Sequence, residues 1–320
     1  MSKMIEVQNL KKYFKSPKGQ VHAVDDVTLG IEKGSTMGIV GESGCGKSTL
    51  GRVMIEMIPS TDGKILFDGK DITGLKGKDL YDYHSRAQFI FQDPYSSLNP
   101  RYTVEQTISE PLKNAKKYSR QEIEKKTTEL MDMVGVAQRL RLSYPHEMDG
   151  GRRQRVVIAR ALALDPEFVV CDEPVSALDV SIQAQVLNLL HDLQKEKKLT
   201  YMFITHDMSV VKHIANDISV MYLGQLVETS PSKELFHHTY HPYTKALLSA
   251  IPSTNIHQKM NRILLKGEIT SPINPKPGCR FAARCEYVTE KCYEPQKLEE
   301  VTPNHFVSCC RVREVNPELQ

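Results

Sequence analysis

One octapeptide constrains this chain more than any other feature: Gly41-Glu42-Ser43-Gly44-Cys45-Gly46-Lys47-Ser48, two glycines bracketing four residues and followed by lysine and serine. It follows the apolar run Thr36–Val40, which reads as a strand, and opens the helix-like stretch Lys47–Met57. In that setting the glycines let successive backbone N–H groups converge on phosphate oxygens, and the helix N-terminus adds a favourable dipole. Gly41, Ser43, Gly44, Cys45 and Gly46 form the cradle, Lys47 reaches the β- and γ-phosphates, and Ser48 offers its hydroxyl to Mg²⁺ with Thr49 in support. The bland alternative is a glycine-rich turn with a coincidental Gly-Lys-Ser, which the strand and helix on either side disfavour.

The rest of the chain repeats that alternation. Short apolar segments such as Phe168–Asp172 alternate with helix-like ones such as Ile182–Glu196, which predicts an α/β architecture around a mainly parallel strand set. Ile5–Leu10, Val21–Leu29 and Lys64–Phe67 read as an antiparallel sheet beside that core. From about Pro94 to Leu164 the pattern is largely helical, as an inserted helical subdomain. From Pro252 onward proline and cysteine accumulate, so a first domain over 1–251 and a separate small cysteine-rich region over 252–320 are expected.

Composition excludes little but helps. Of 320 residues 40% are hydrophobic and 25% charged, the balance of a globular protein, and a net charge of +3 gives no reason to expect nucleic acid as a partner. The opening MSKMIEVQNLKKYF has no long apolar run, so no secretory signal is expected, and no stretch is apolar enough to span a membrane.

Two further strand ends carry chemistry. Phe168–Cys171 runs into Asp172 and Glu173, where Asp172 is suited to the magnesium shell and Glu173 to polarising the attacking water. Acids capping a buried strand are the plainer reading of that segment alone, and the phosphate loop overrides it. Tyr201–Thr205 ends at His206, placed to hydrogen-bond a γ-phosphate.

Together these residues resemble the nucleotide-binding subunit of an ATP-binding-cassette transporter over nearly the whole chain. Asp149-Gly150-Gly151-Arg152-Arg153-Gln154-Arg155 resembles the family signature, Leu-Ser-Gly-Gly-Gln, and Gln92 matches the loop glutamine that contacts Mg²⁺ and links the site to membrane subunits. Asp179, in Ser176-Ala177-Leu178-Asp179, matches the loop that crosses the dimer interface. Phe14 fits the aromatic that stacks on adenine, with Tyr13 as second choice. The resemblance implies an ATPase acting with Mg²⁺ at the cytoplasmic face of the membrane. Each ATP lies between one chain's phosphate loop and the signature of a second ATPase subunit. Two transmembrane permease subunits and, indirectly, an extracellular binding protein complete the assembly. His241–Leu248 looks like the segment after the core in oligopeptide, dipeptide and nickel importers, so peptide import is expected, with a metal-chelate importer or a regulatory nucleotide-binding subunit as alternatives.

The same subfamily carries a four-cysteine pattern matching Cys279, Cys285, Cys292 and Cys309, which in some members binds a 4Fe-4S cluster. Four thiolates on a loop-rich segment suit a soft metal or such a cluster, and zinc or free thiols remain open, as does replacement of Cys309 by Cys310. Position 149 departs from the signature: aspartate stands where serine donates to the partner-bound phosphate. As a helix cap aspartate serves equally well, and Arg152 one turn on is placed to neutralise it. The expected pair is therefore of non-identical ATPase subunits with unequal sites.

Overall fold

Burial alternates over Ile5–Gln8 of Lys3–Ser16 (β1) and over Val27–Glu32 of Gly19–Glu32 (β2), as a sheet with one covered face requires. The computed structural model describes residues 2–251, 262–265, 267 and 271–319, and the expected boundary at Pro252 lies outside them. The chain divides into two units, Ser2–Gly74 with Phe203 onward, and Leu75–Met202.

In the first unit β1 pairs antiparallel with β2, and the fully buried Thr36–Val40 (β3) leads through the phosphate loop into Lys47–Met54 (α1). Asp62–Phe67 (β4) returns beside β1, setting Phe67 opposite Ile5 and Ile65 opposite Val7, and Lys70–Asp71 (β5) completes a sheet ordered β2-β1-β4-β5. Asn9, at φ 46°, sits where the β1 register shifts between Val7 and Leu10. The antiparallel sheet expected from the sequence is therefore present.

The second unit opens with Gly77–Arg86 (α2) and Ala87–Ile90 (β6), then turns helical through Pro94–Ser97 (α3), Val104–Asn114 (α4), Arg120–Met133 (α5) and Gly150–Leu162 (α6). Thr103 with Gln106 and Ser119 with Glu122 form capping boxes at the starts of α4 and α5, so local sequence fixes both helix starts. Phe168–Asp172 (β7) is buried at every position and runs parallel to β6, from Ala87 opposite Phe168 to Ile90 opposite Cys171. An unbroken apolar run suits a strand covered on both faces. Val180–Lys197 (α7) follows and buries Val186, Leu190 and Leu193.

Thr200–Thr205 (β8) carries the chain back to the first unit, followed by Met208–Ile214 (α8) and Asp217–Tyr222 (β9), which pairs parallel with β3. Leu223 (φ 43°) and Gly224 (φ 85°) form a two-residue turn into Gln225–Pro231 (β10). A Cβ on Gly224 would lie 2.6 Å from the His22 carbonyl oxygen, so glycine is required there. After Ser232–His237 (α9) and Pro242–Ser249 (α10) comes the cysteine-bearing segment, which falls in the same unit. Phe281 packs against Tyr222 and Tyr243, its ring centroid 5.4 Å from each, and Glu299–Thr302 (β11) and His305–Val307 (β12) extend β10, with Val307 opposite Glu228. One aromatic anchor and one free strand edge supply the burial that loops alone lack.

Candidate nucleotide site and cysteine cavity

The phosphate loop is built by left-handed backbone at three glycines, two of which also leave no room for a side chain. Gly41, Gly44 and Gly46 have φ of 154°, 77° and 107°. A Cβ on Gly41 would stand 2.2 Å from the Met221 carbonyl oxygen, and one on Gly46 2.0 Å from that of Ala23. Ser43 and Gly44 are exposed, whereas Cys45 and Lys47 are buried. The Lys47 ammonium donates to the carbonyls of Gly41 at 2.8 Å and Glu42 at 3.0 Å, so its charge is held inside the loop. Ser48 and Thr49 occupy the first turn of α1.

Tyr13 and Phe14 separate clearly. The Tyr13 hydroxyl donates to Asp25 and its ring stacks on His22 at 3.9 Å, which commits it to structure. Burial and the Asp25 hydrogen bond hold the Tyr13 hydroxyl well above its usual range. Burial would raise the Asp25 carboxyl, but hydrogen bonds from Tyr13 and His22 and the Arg280 charge hold it below the ordinary value. Phe14 is exposed, with the Lys12 ammonium 5.1 Å from its centroid. His206 follows β8 and is exposed, and Asp207 caps α8 by accepting from the Ser209 N–H at 2.7 Å.

In the unit Leu75–Met202, Asp172 ends β7 almost fully buried and Glu173 follows at φ 46°. Gln92, from the loop after β6, donates to Glu173 Oε2 at 2.9 Å, so two residues singled out in sequence 81 positions apart meet. Asp149 caps α6: its Oδ1 accepts from the Arg152 N–H at 2.8 Å, and its Oδ2 lies 3.3 Å from Arg152 Nε. Both structural alternatives raised for this aspartate are realised together. Gly151 is needed for packing, since a Cβ there would meet Ile182 at 2.5 Å, and Leu178 lies 3.1 Å from a Cβ placed on Gly150. Asp179 caps α7, accepting from Ser181 Oγ at 2.7 Å and the Ile182 N–H at 3.1 Å, which lowers its carboxyl below the usual range.

Cys279, Cys285, Cys292, Cys309 and Cys310 line one small cavity together with His241. Cys292 and Cys310 place their sulfurs 3.8 Å apart, and burial pushes the Cys279 thiol up to about 12. Among the described residues no group of three or more His, Cys, Asp or Glu side chains is arranged around a single metal ion. The cysteines expected to bind metal, Cys279, Cys285, Cys292 and Cys309, thus share a cavity but form no such group.

What the sequence missed is the setting of Glu42. Its N–H donates to the Tyr243 hydroxyl at 2.9 Å, and its carboxylate takes two hydrogen bonds from Arg284, at 2.7 and 3.1 Å. These partners lie 201 and 242 positions away, beyond any local signal.

Among the described residues no helix is long and apolar enough to cross a membrane. Residues 24–176 match the ABC transporter family, and residues 227–292 match the oligopeptide/dipeptide transporter C-terminal region. The oligopeptide transport ATP-binding protein AppF of Bacillus subtilis is 48% identical over 96% of both chains. OppF of Salmonella typhimurium is 47% identical over 96% of this chain and 93% of its own, and the dipeptide transport ATP-binding protein DppF of Haemophilus influenzae 45% identical over 97% of each. Among solved structures, the dimeric ATP-binding cassette MJ0796 in a post-hydrolysis state bound to ADP and Pi superposes with a TM-score of 0.65 at 29% identity, covering 72% of this chain and 99% of that one. With the loop geometry, the Gln92–Glu173 pair and relatives at this identity along almost its full length, the chain belongs to the ABC transporter family, as an ATPase cassette that carries the oligopeptide/dipeptide transporter C-terminal region.

Proposed function

We propose that this chain binds and hydrolyses ATP to power the import of peptides through two transmembrane permease subunits, paired with a second, non-identical ATPase subunit. The observation that carries the catalytic part is the 2.9 Å hydrogen bond from Gln92 to Glu173, which holds a carboxylate next in sequence to the buried Asp172. In this reading Lys47 leaves the Gly41 and Glu42 carbonyls for the β- and γ-phosphates, Ser48, Gln92 and Asp172 serve Mg²⁺, and Phe14 stacks on adenine. Glu173 orients and polarises the attacking water, and His206 hydrogen-bonds the γ-phosphate. Gly150, Gly151 and Asp179 serve the facing subunit.

Peptide as the cargo follows from the named relatives and the matched C-terminal region. For the permease surface, Tyr95, Leu142 and Tyr144 in the unit Leu75–Met202 are exposed apolar side chains. A non-identical partner is favoured because Asp149, an acceptor already committed to the Arg152 N–H, cannot replace the donor a serine gives the partner-bound phosphate. The site using this chain's own loop then carries the turnover. For the cysteine pattern a 4Fe-4S cluster is the reading preferred over zinc, because each thiolate of a cluster binds a separate iron and the sequence lacks close Cys-x₂-Cys pairs. Cys279, Cys285, Cys292 and Cys309 would hold it. Cys292 is buried and Cys279, Cys285 and Cys309 are partly buried, whereas Cys310 is exposed.

The test is steady-state ATP turnover of the assembled transporter bearing Glu173→Gln, expected to fall by on the order of 10²-fold or more with ATP still bound. Unchanged turnover would overturn the assignment.

A further inference from the structure

We propose that Arg284, on the cysteine-bearing segment, is a positioning residue for the phosphate loop, setting ATP affinity through Glu42. This rests on the ATP-site reading above and goes beyond it, since nothing in the loop motif or its phosphate contacts calls on a residue 242 positions away.

The geometry is a relay within one unit. The Arg284 side chain is mostly buried and grips both Glu42 carboxylate oxygens, at 2.7 and 3.1 Å, in the planar two-pronged manner that fixes a carboxylate in orientation as well as place. Its guanidinium also lies 5.9 Å from the Tyr222 ring centroid and donates to the Tyr222 hydroxyl at 3.4 Å. The Glu42 main chain is held at the same time by the Tyr243 hydroxyl, and its carbonyl accepts from Lys47. Side chain, N–H and C=O of a single loop residue are thus all fixed, two of them by residues after position 242. A loop whose N–H groups must converge on phosphate works only if its backbone is held before the nucleotide arrives. Glycines at 41, 44 and 46 permit the required backbone but cannot impose it, because they leave the chain the most freedom. Arg284 supplies the missing constraint. Four positions earlier, Arg280 anchors the same segment on Asp25 and the Leu223 carbonyl.

Because the loop cradles phosphates in ground state and transition state alike, loss of the brace should weaken binding uniformly and raise KM more than it lowers kcat. In the assembled transporter, Arg284→Ala is expected to raise the ATP Kd and KM about tenfold while kcat stays within about twofold. Arg284→Lys, which keeps the charge but not the fork, should fall between. Adding Glu42→Ala to Arg284→Ala should cost nothing further, the mark of two residues acting as one. Normal ATP affinity in a folded Arg284→Ala transporter, or effects of the two substitutions that multiply, would overturn the proposal. If Arg284→Ala does not assemble, Arg284→Lys and Glu42→Gln carry the same titration, and wild-type affinity in both overturns it equally. Lys47→Ala, run alongside, separates the failures: retained ATP binding there defeats the ATP-site reading itself, whereas lost binding with an unaffected Arg284 variant defeats only the brace.

Discussion

Gly46 and Gly44 show how differently two glycines of one motif are constrained. Both have positive φ, but a side chain at Gly46 runs into the Ala23 carbonyl, whereas one at Gly44 meets nothing within 4 Å. Gly46→Ala should therefore displace β2 or the loop, cost about 1–3 kcal/mol and abolish ATP binding. Gly44→Ala should cost about 1 kcal/mol of backbone strain, and thermal melting with nucleotide titration separates the two. His241 offers a second test. Burial, opposed by the Glu228 charge, pushes its imidazole from 6.5 down to about 4, while its ring nitrogen accepts the Tyr243 N–H. Between those values the unfolded chain binds the extra proton, so the stability this neutral histidine contributes is complete above about pH 6.5 and is lost as pH falls toward 4. Between pH 7.5 and 5 that loss is on the order of 2 kcal/mol. His241→Asn, which keeps a helix cap, should flatten the slope in denaturant titrations at the two pH values. The motif was legible in the sequence because it is contiguous; the burial of His241 was not, since its neighbours come from β10 and the C-terminal segment.

At the scale of the element, the start of α6 tests what Asp149 is for. Asp149→Ala removes the bond to the Arg152 N–H and should destabilise the chain by about 1 kcal/mol. Asp149→Ser keeps a cap, should leave stability within about 0.5 kcal/mol, and restores a donor toward the facing subunit. Turnover of the assembled transporter should then rise in Asp149→Ser and not in Asp149→Ala, as an ATPase assay reports. The cap at Asp149 was read from the sequence, because capping is local chemistry; the caps at Thr103, Ser119 and Asp179 are equally local and were found in the structure. The pairing of β12 with β10 was not, because strand partners are chosen by whichever edge the rest of the chain leaves free.

For the whole molecule, the thiol-lined cavity is the feature that draws on the most distant parts of the C-terminal sequence. Anaerobic purification of the assembled transporter should yield about four iron and four sulfide per chain. Cys309→Ser should remove most of that iron and Cys310→Ser little of it, by metal analysis and visible absorbance. By itself the sequence determined the α/β class, the phosphate loop, the two acids at the end of β7 and the Asp149 cap, since each is written in a contiguous stretch whose backbone preference or hydrogen bonding is local. Only the tertiary structure decided that Gln92 reaches Glu173, that Phe14 is exposed while Tyr13 is committed to Asp25, and that Arg284 holds Glu42. Those pairings depend on packing that brings far-apart residues within about 3 Å, and no spacing along the chain encodes that.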